Sequence, residues 1–130
     1  MNYTIGKEIK PFEVEINKYL PYYYAGASLD FNLIHIDDEF AKKVGLGGII
    51  LQGLCTMAYV LRAVMSKDLD PCKLKKIKVR FRQVVKPLDR LTVQGKVSGI
   101  NNDLVTIDLL ATNQKGEQVI TNGQATIIEN

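Results

Sequence analysis

The stretch Val44-Gly45-Leu46-Gly47-Gly48-Ile49-Ile50-Leu51-Gln52-Gly53-Leu54-Cys55-Thr56-Met57-Ala58-Tyr59-Val60-Leu61 holds no charged residue over 18 positions, and its reading decides the fold. That length touches the lower limit for a membrane-spanning helix, but the pattern argues against one. Wound at helical pitch, Gln52, Thr56, Tyr59, Arg62 and Ser66 fall on one narrow stripe. Ile50, Leu54, Met57, Leu61, Val64 and Met65 cover the opposite side. A polar stripe ending in arginine, approached through Gly45, Gly47 and Gly48, predicts a helix sunk into the core of a soluble domain. Those glycines follow no strand and match neither Rossmann nor P-loop spacing, so they read as a flexible approach to the helix.

Beyond this helix the period changes from helical to two. Residues 73–85 place Ile77, Val79 and Phe81 on one face and Lys76, Lys78, Arg80 and Arg82 on the other, as a half-buried strand does. Residues 90–100 repeat the pattern, and further runs cover 104–112 and 117–128. The connections 101–103 and 113–116 are short and rich in residues that tolerate positive φ. Pro87 with Asp89 marks the first turn. Strands joined by short turns make an antiparallel sheet, with the helices gathered in the first half of the chain.

Upstream, residues 8–16 read as a first strand and 19–27 as a helix that tolerates Pro21 in its first turn. Residues 28–36 are irregular; 38–44 form a short helix with Asp37 as N-cap and Gly45 as stop. The fold class is therefore α+β: an antiparallel sheet wrapped around a central apolar helix, the hot-dog arrangement. At 130 residues without linker, repeat or low-complexity tract, residues 1–130 read as one domain.

Composition removes several classes of function. A content of 46% apolar and 24% charged residues is that of an ordinary globular protein. A single histidine excludes histidine-rich metal sites. A net charge of +3 falls short of arguing for nucleic acid, although Lys73, Lys75, Lys76, Lys78, Arg80 and Arg82 concentrate the surplus on one strand. Most simply that strand face is solvated. Cys55 and Cys72 form no CxxC pair and read as reduced structural thiols. Tyr22, Tyr23 and Tyr24 read as packing residues. The N-terminal residues lack a basic start and apolar run, which favours the cytoplasm.

The irregular stretch concentrates polar chemistry. Ser28-Leu29-Asp30-Phe31-Asn32-Leu33-Ile34-His35-Ile36-Asp37 gathers two carboxylates, a carboxamide and the only imidazole. Two readings of these residues stay open. In one, Asp37 caps a helix, Asp30 and Asn32 make turn hydrogen bonds, and His35 is structural. In the other, they form a site. The spacing of Asp30, Asn32 and Asp37 lacks the glycine and distal glutamate of a calcium loop, so no metal is expected.

This stretch resembles the signature of the MaoC-like dehydratases, the (R)-specific enoyl-CoA hydratases, in which Ser-Gly-Asp-x-Asn-Pro-(Leu/Ile)-His is followed by x-Asp. Ser28, Asp30, Asn32, Ile34, His35 and Asp37 fall in register with it. The similarity continues through Phe40 to Leu46 and then Ile50 to Thr56, where the family has a His-Gly helix start. It reaches Arg80-Phe81-Arg82 and Pro87-Leu88-Asp89. Three positions depart from the pattern: Leu29 for glycine, Leu33 for proline and Gln52 for histidine.

The resemblance implies the same hot-dog fold and a homodimer whose sheets join edge to edge. It implies hydration of a 2-enoyl thioester or the reverse dehydration, with Asp30 and His35 as the catalytic acid-base pair. Asn32 would position that pair or a substrate group, and the N–H of Gly53 with its neighbours Gln52 and Leu54 would hold the thioester oxygen. Coenzyme A or an acyl carrier protein would carry the substrate, with Arg80 and Arg82 near its phosphates. No cofactor, metal, nucleic acid or membrane enters that reading. A thioesterase and a non-catalytic acyl-binding subunit are the alternatives on the same fold.

Overall fold

The computed structural model describes residues 3–65 and 70–129. Met1 and Asn2 of the N-terminal reading, and Ser66 of the helix stripe, lie outside the described residues.

Alternating side chains build one five-stranded antiparallel sheet in the order β1-β3-β4-β5-β2. The strands are β1 (Phe12–Glu15), β2 (Leu74–Phe81), β3 (Arg90–Asn101), β4 (Leu104–Thr112) and β5 (Gln118–Ile128). Leu91, Val93 and Val97 of β3, Val105, Ile107 and Leu109 of β4, and Ala125 and Ile127 of β5 turn inward and are buried. On the other face a polar row crosses four strands in register: Lys96 opposite Asp108, Asp108 opposite Gln124, and Gln124 opposite Lys78. Asp108 accepts hydrogen bonds from Ser98 and Gln124, so the row is tied at its centre. The two tight connections turn through positive φ at Asn102 (55°) and Gly116 (76°).

The first strand is shorter than the run 8–16 suggested. Pro11 lacks an N–H, and the register shifts by one residue between the Glu8–Lys96 bridge and the Phe12–Val93 pair. The residues before the shift still follow β3, with Gly6 N–H donating to Val97 and Ile9 N–H to Gly95. β2 likewise ends at Phe81, short of Val85. After Arg82 N–H donates to Val119, the chain leaves the sheet, and Val85 offers its carbonyl to Leu51 N–H at 2.7 Å.

Among the described residues three α-helices precede β2: α1 (Leu20–Ser28), α2 (Asp38–Lys43) and α3 (Gly53–Val64). Pro21 sits in the first turn of α1, and Asp37 Oδ1 caps α2 by accepting from Phe40 N–H at 3.1 Å. α3 lies on the inner face of the sheet, mainly over β3. Val60 and Val64 anchor it in the core, each burial stabilising by roughly 1.5–3 kcal/mol.

The helical period correctly placed α3, but its two sides are distributed differently from the expected stripe. Gln52 and Thr56, read as polar stripe, are buried, together with Cys55, while Leu54 of the apolar side is 66% exposed. The sheet covers only one side of the helix, and the first turn of α3 emerges at the rim, where Gln52 finds a carbonyl to bond and Leu54 finds no neighbouring layer. Only 12 of the charge-free positions and their continuation are helical, and no described helix is long and apolar enough to cross a membrane.

Candidate active site

The loop from Ser28 to His35 is held by a ladder of short-range hydrogen bonds from alternate side chains. Ser28 Oγ donates to Tyr24 O at 2.7 Å and accepts from Asp30 N–H. Asp30 Oδ1 accepts from Asn32 N–H, and Asn32 Oδ1 from Ile34 N–H, both at 3.3 Å. The last bond caps a single 3₁₀ turn, Leu33–His35, and so sets the position of the imidazole. The intervening residues, Leu29, Phe31 and Leu33, point their apolar side chains to solvent. Leu29 ends α1 at φ 61°, where a glycine would sit without strain.

The imidazole is clamped from the far side by Ile50. Ile50 N–H donates to Ile34 O, and the Ile50 carbonyl accepts from His35 Nδ1 at 2.8 Å. A carbonyl only accepts, so Nδ1 carries the proton and Nε2 of the neutral ring keeps its lone pair. Nε2 lies 3.9 Å from Asp30 Oδ2, too far for a direct hydrogen bond. One water oxygen bridges such a gap with ordinary contacts of about 2.8 Å to each group. His35 is buried, whereas the Asp30 side chain is about half exposed, so the pair opens to solvent on the carboxylate side. Asp38 Oδ1 holds Ile49 N–H at 2.9 Å and steadies the segment that carries Ile50.

A largely apolar cavity of about 330 Å³ adjoins His35 and is lined by Ile34, Gly53, Thr56, Phe81 and Val84, among others. Gly53 opens α3, where a helix supplies no acceptor for its first N–H groups. Gln52, the N-cap residue, does not cap them with its side chain. Its Nε2 donates instead to Pro21 O at 2.9 Å and joins α1 to the start of α3, while its buried Oε1 has no partner. A methyl group on Gly53 would meet the Phe81 ring at 3.3 Å, so glycine lets that ring lie against the start of α3 without being displaced by a few tenths of an ångström.

Of the residues singled out in the sequence, Asp30, Asn32 and His35 come together in one loop, and Gly53 reaches the same cavity from α3. Gln52 stands behind that surface, and Leu54 is exposed beside it. Arg82 lines the cavity and also, with Arg80, Phe81, Gln83 and Gln118, an adjoining polar groove of about 530 Å³. Ile50, Thr56, Phe81 and Val84 were not singled out for the site. Ile50 acts through its carbonyl, which no side-chain pattern signals; Thr56, one turn after Gln52, and Phe81, between two arginines, were legible only as face positions.

The Cys55 thiol is pushed up to about 11 by burial, and Cys72 is exposed; both are free. Tyr24 is held above the ordinary phenol range by burial and then by the neighbouring Cys55 and Asp30. Among the described residues no three His, Cys, Asp or Glu side chains cluster as metal ligands would.

Residues 2–119 match the family described as MaoC like domain. The chain is 37% identical over 106 residues to a probable enoyl-CoA hydratase 2 of Dictyostelium discoideum, covering 80% of this chain and 35% of that protein. It is 30% identical over 106 residues to the fatty acid synthase beta subunit pkiC of Emericella nidulans, covering 80% of this chain and 6% of that protein. The chain thus spans about a third or less of these curated relatives. The structure of the R-hydratase PhaJ1 from Pseudomonas aeruginosa, in the unliganded form, superposes with a TM-score of 0.85 at 24% identity, over 97% of this chain and 81% of that one, a likeness of fold.

Proposed function

The chain belongs to the MaoC like domain family, and from that premise we propose that its site adds water across the 2,3 double bond of an enoyl thioester, giving the (R)-3-hydroxyacyl product, or removes it in reverse. The observation that carries this reading is the 3.9 Å gap between His35 Nε2 and Asp30 Oδ2 beside an uncapped helix start. Water held in that gap gives one hydrogen to each group. Its oxygen bonds to the β-carbon, its proton passes to the Nε2 lone pair, and the proton taken up is delivered to the α-carbon. Negative charge that develops on the thioester oxygen is met by the N–H of Gly53 and the positive end of α3. General acid-base groups of this kind contribute about 10²–10⁴-fold.

Asn32 supports the pair by capping the turn under His35, Gln52 by fixing the start of α3 against α1, and Leu54 adds a second first-turn N–H. Arg80 and Arg82 line the groove next to the cavity, where carrier phosphates would lie. The reaction calls for no cofactor. We read residues 1–130 as one such domain, acting as a homodimer; the exposed Phe31, Leu33 and Leu54 are apolar surface that a second copy would cover. Two unpaired thiols suit the reducing cytoplasm.

The test is hydration of crotonyl-CoA followed by loss of the enoyl absorbance, with Asp30→Asn alongside. An Asn oxygen preserves the turn bond to Asn32 N–H but cannot accept as a carboxylate, so turnover falls by about 10²–10⁴-fold while folding is kept. Full activity in a folded Asp30→Asn protein overturns the mechanism. Release of free thiol without change at the double bond selects the thioesterase alternative.

A further inference from the structure

The protein's positive charge is a local feature. The span from Lys73 to Arg82 holds six of the seventeen lysines and arginines and none of the fourteen acidic residues, which leaves eleven cations against fourteen anions elsewhere. Most of that span is β2, an edge strand. Its partners on β5 include Thr126, Ala125, Gln124 and Thr121, all uncharged. Among the described residues Lys75, Lys76, Lys78, Arg80 and Arg82 enter no ion pair. Across the face, the Asp108 carboxylate is two strands away and occupied by Ser98 and Gln124. A row of like charges without counter-charges opposes its own folding, so the fold alone gives no reason for it.

Two features define what could sit there. The row leads to the active cavity, because Arg82 lines both that cavity and the groove that contains Arg80. It also extends away from the cavity for about 20 Å, at about 3.3 Å per strand residue. Arg80 and Arg82 suffice for the clustered phosphates of a nucleotide-bearing carrier. Lys75, Lys76 and Lys78 lie beyond it. Lys76 and Lys78 share the outer face with Thr126 and Gln124, so a second copy joined at the strand edge would leave them in solvent.

We propose that β2 is the docking surface for an acidic acyl carrier protein, which delivers its phosphopantetheine-linked acyl group past Arg82 into the cavity of His35 and Gly53. This rests on the enoyl-thioester reading and names the form in which the substrate arrives. Complementary charge spread along a strand speeds encounter and sets register more than it tightens the final complex.

The experiment compares hydration of crotonyl groups on an acidic acyl carrier protein, on coenzyme A and on pantetheine, by the native protein and by the double variant Lys76→Glu, Lys78→Glu. The expected result is a loss of about tenfold or more in kcat/KM on the carrier protein, steeper at low salt, with the coenzyme A and pantetheine substrates within twofold of native. An equal loss with coenzyme A, or no loss on any carrier, overturns the proposal. So does a native protein that binds RNA or DNA in preference to the carrier protein. If no thioester is hydrated, the hydratase reading fails by itself. Docking is then read from titration of labelled holo-carrier protein: binding abolished by the double variant supports it, and absence of binding overturns it.

Discussion

The Ile50 carbonyl and the His35 Nδ1 lie 2.8 Å apart, and this one contact decides which ring nitrogen faces Asp30. Fifteen residues separate the two in the chain, and the bond forms because Ile50 also donates its N–H to Ile34, one residue before the histidine. The backbone thus grips the imidazole on the side away from the carboxylate.

The tautomer can be read directly, because the chain has a single histidine. Nitrogen NMR of the ring is expected to show Nδ1 protonated and Nε2 as the unprotonated nitrogen of the neutral form. A neutral ring with its proton on Nε2 would remove the lone pair from the water site and with it the proposed base.

Leu29 occupies left-handed backbone at φ 61° and is 75% exposed, so its side chain returns little packing for the strain. Leu29→Gly should raise the urea midpoint of the isolated protein, with a gain of up to about 1 kcal/mol after the greater chain entropy of glycine is set against the relieved strain. A fall in the midpoint would show that Leu29 makes contacts that hold the folded state.

Gln52 makes one buried hydrogen bond and leaves Oε1 without one. Gln52→Leu relieves the desolvated Oε1 but leaves the buried Pro21 carbonyl without its donor, so it should cost about 1–3 kcal/mol. Gln52→Glu places a charge in the same buried position and should cost several kcal/mol. Denaturant titrations of the two variants give the comparison, and equal stability of both would mean that water reaches the site.

The two thiols should label at very different rates. Cys72 is exposed, whereas Cys55 is 6% exposed with its thiol raised from 9.0 to about 11 by burial. A disulfide reagent at pH 8 is expected to modify Cys72 readily and Cys55 only on unfolding. The linkage has a definite sign. Between about pH 9 and 11 the unfolded thiol releases its proton while the folded one retains it, so the stabilising contribution present below pH 9 is lost as pH rises. Fast double labelling at pH 8 would contradict the burial of Cys55.

β3, β4 and β5 were legible almost to the residue. Their inward positions alternate over most of their length, broken at the adjacent buried pair Val119 and Ile120 of β5, and Asn102 and Gly116 mark turns that need positive φ. β1 and β2 were legible as strands but not in extent, because Pro11 and the departure of the chain after Phe81 respond to neighbours distant in sequence. The candidate pair Asp30 and His35 was legible through the spacing of its motif. Its gap of 3.9 Å was not, since the Ile50 carbonyl that orients the ring belongs to a backbone that every residue shares.

What the sequence determined by itself was local: periodicity, turn chemistry, the cap of α2, the polar ladder from Ser28 to Ile34, and the concentration of charge on β2. These depend on residues a few positions apart, and side-chain type is enough to specify them. Only the tertiary structure decided which side of α3 is covered, turning Gln52 and Thr56 inward and Leu54 outward, and which groups meet at the cavity. Burial follows from the layer that the sheet presents, and a tautomer follows from the acceptor that a remote main chain brings to one ring nitrogen.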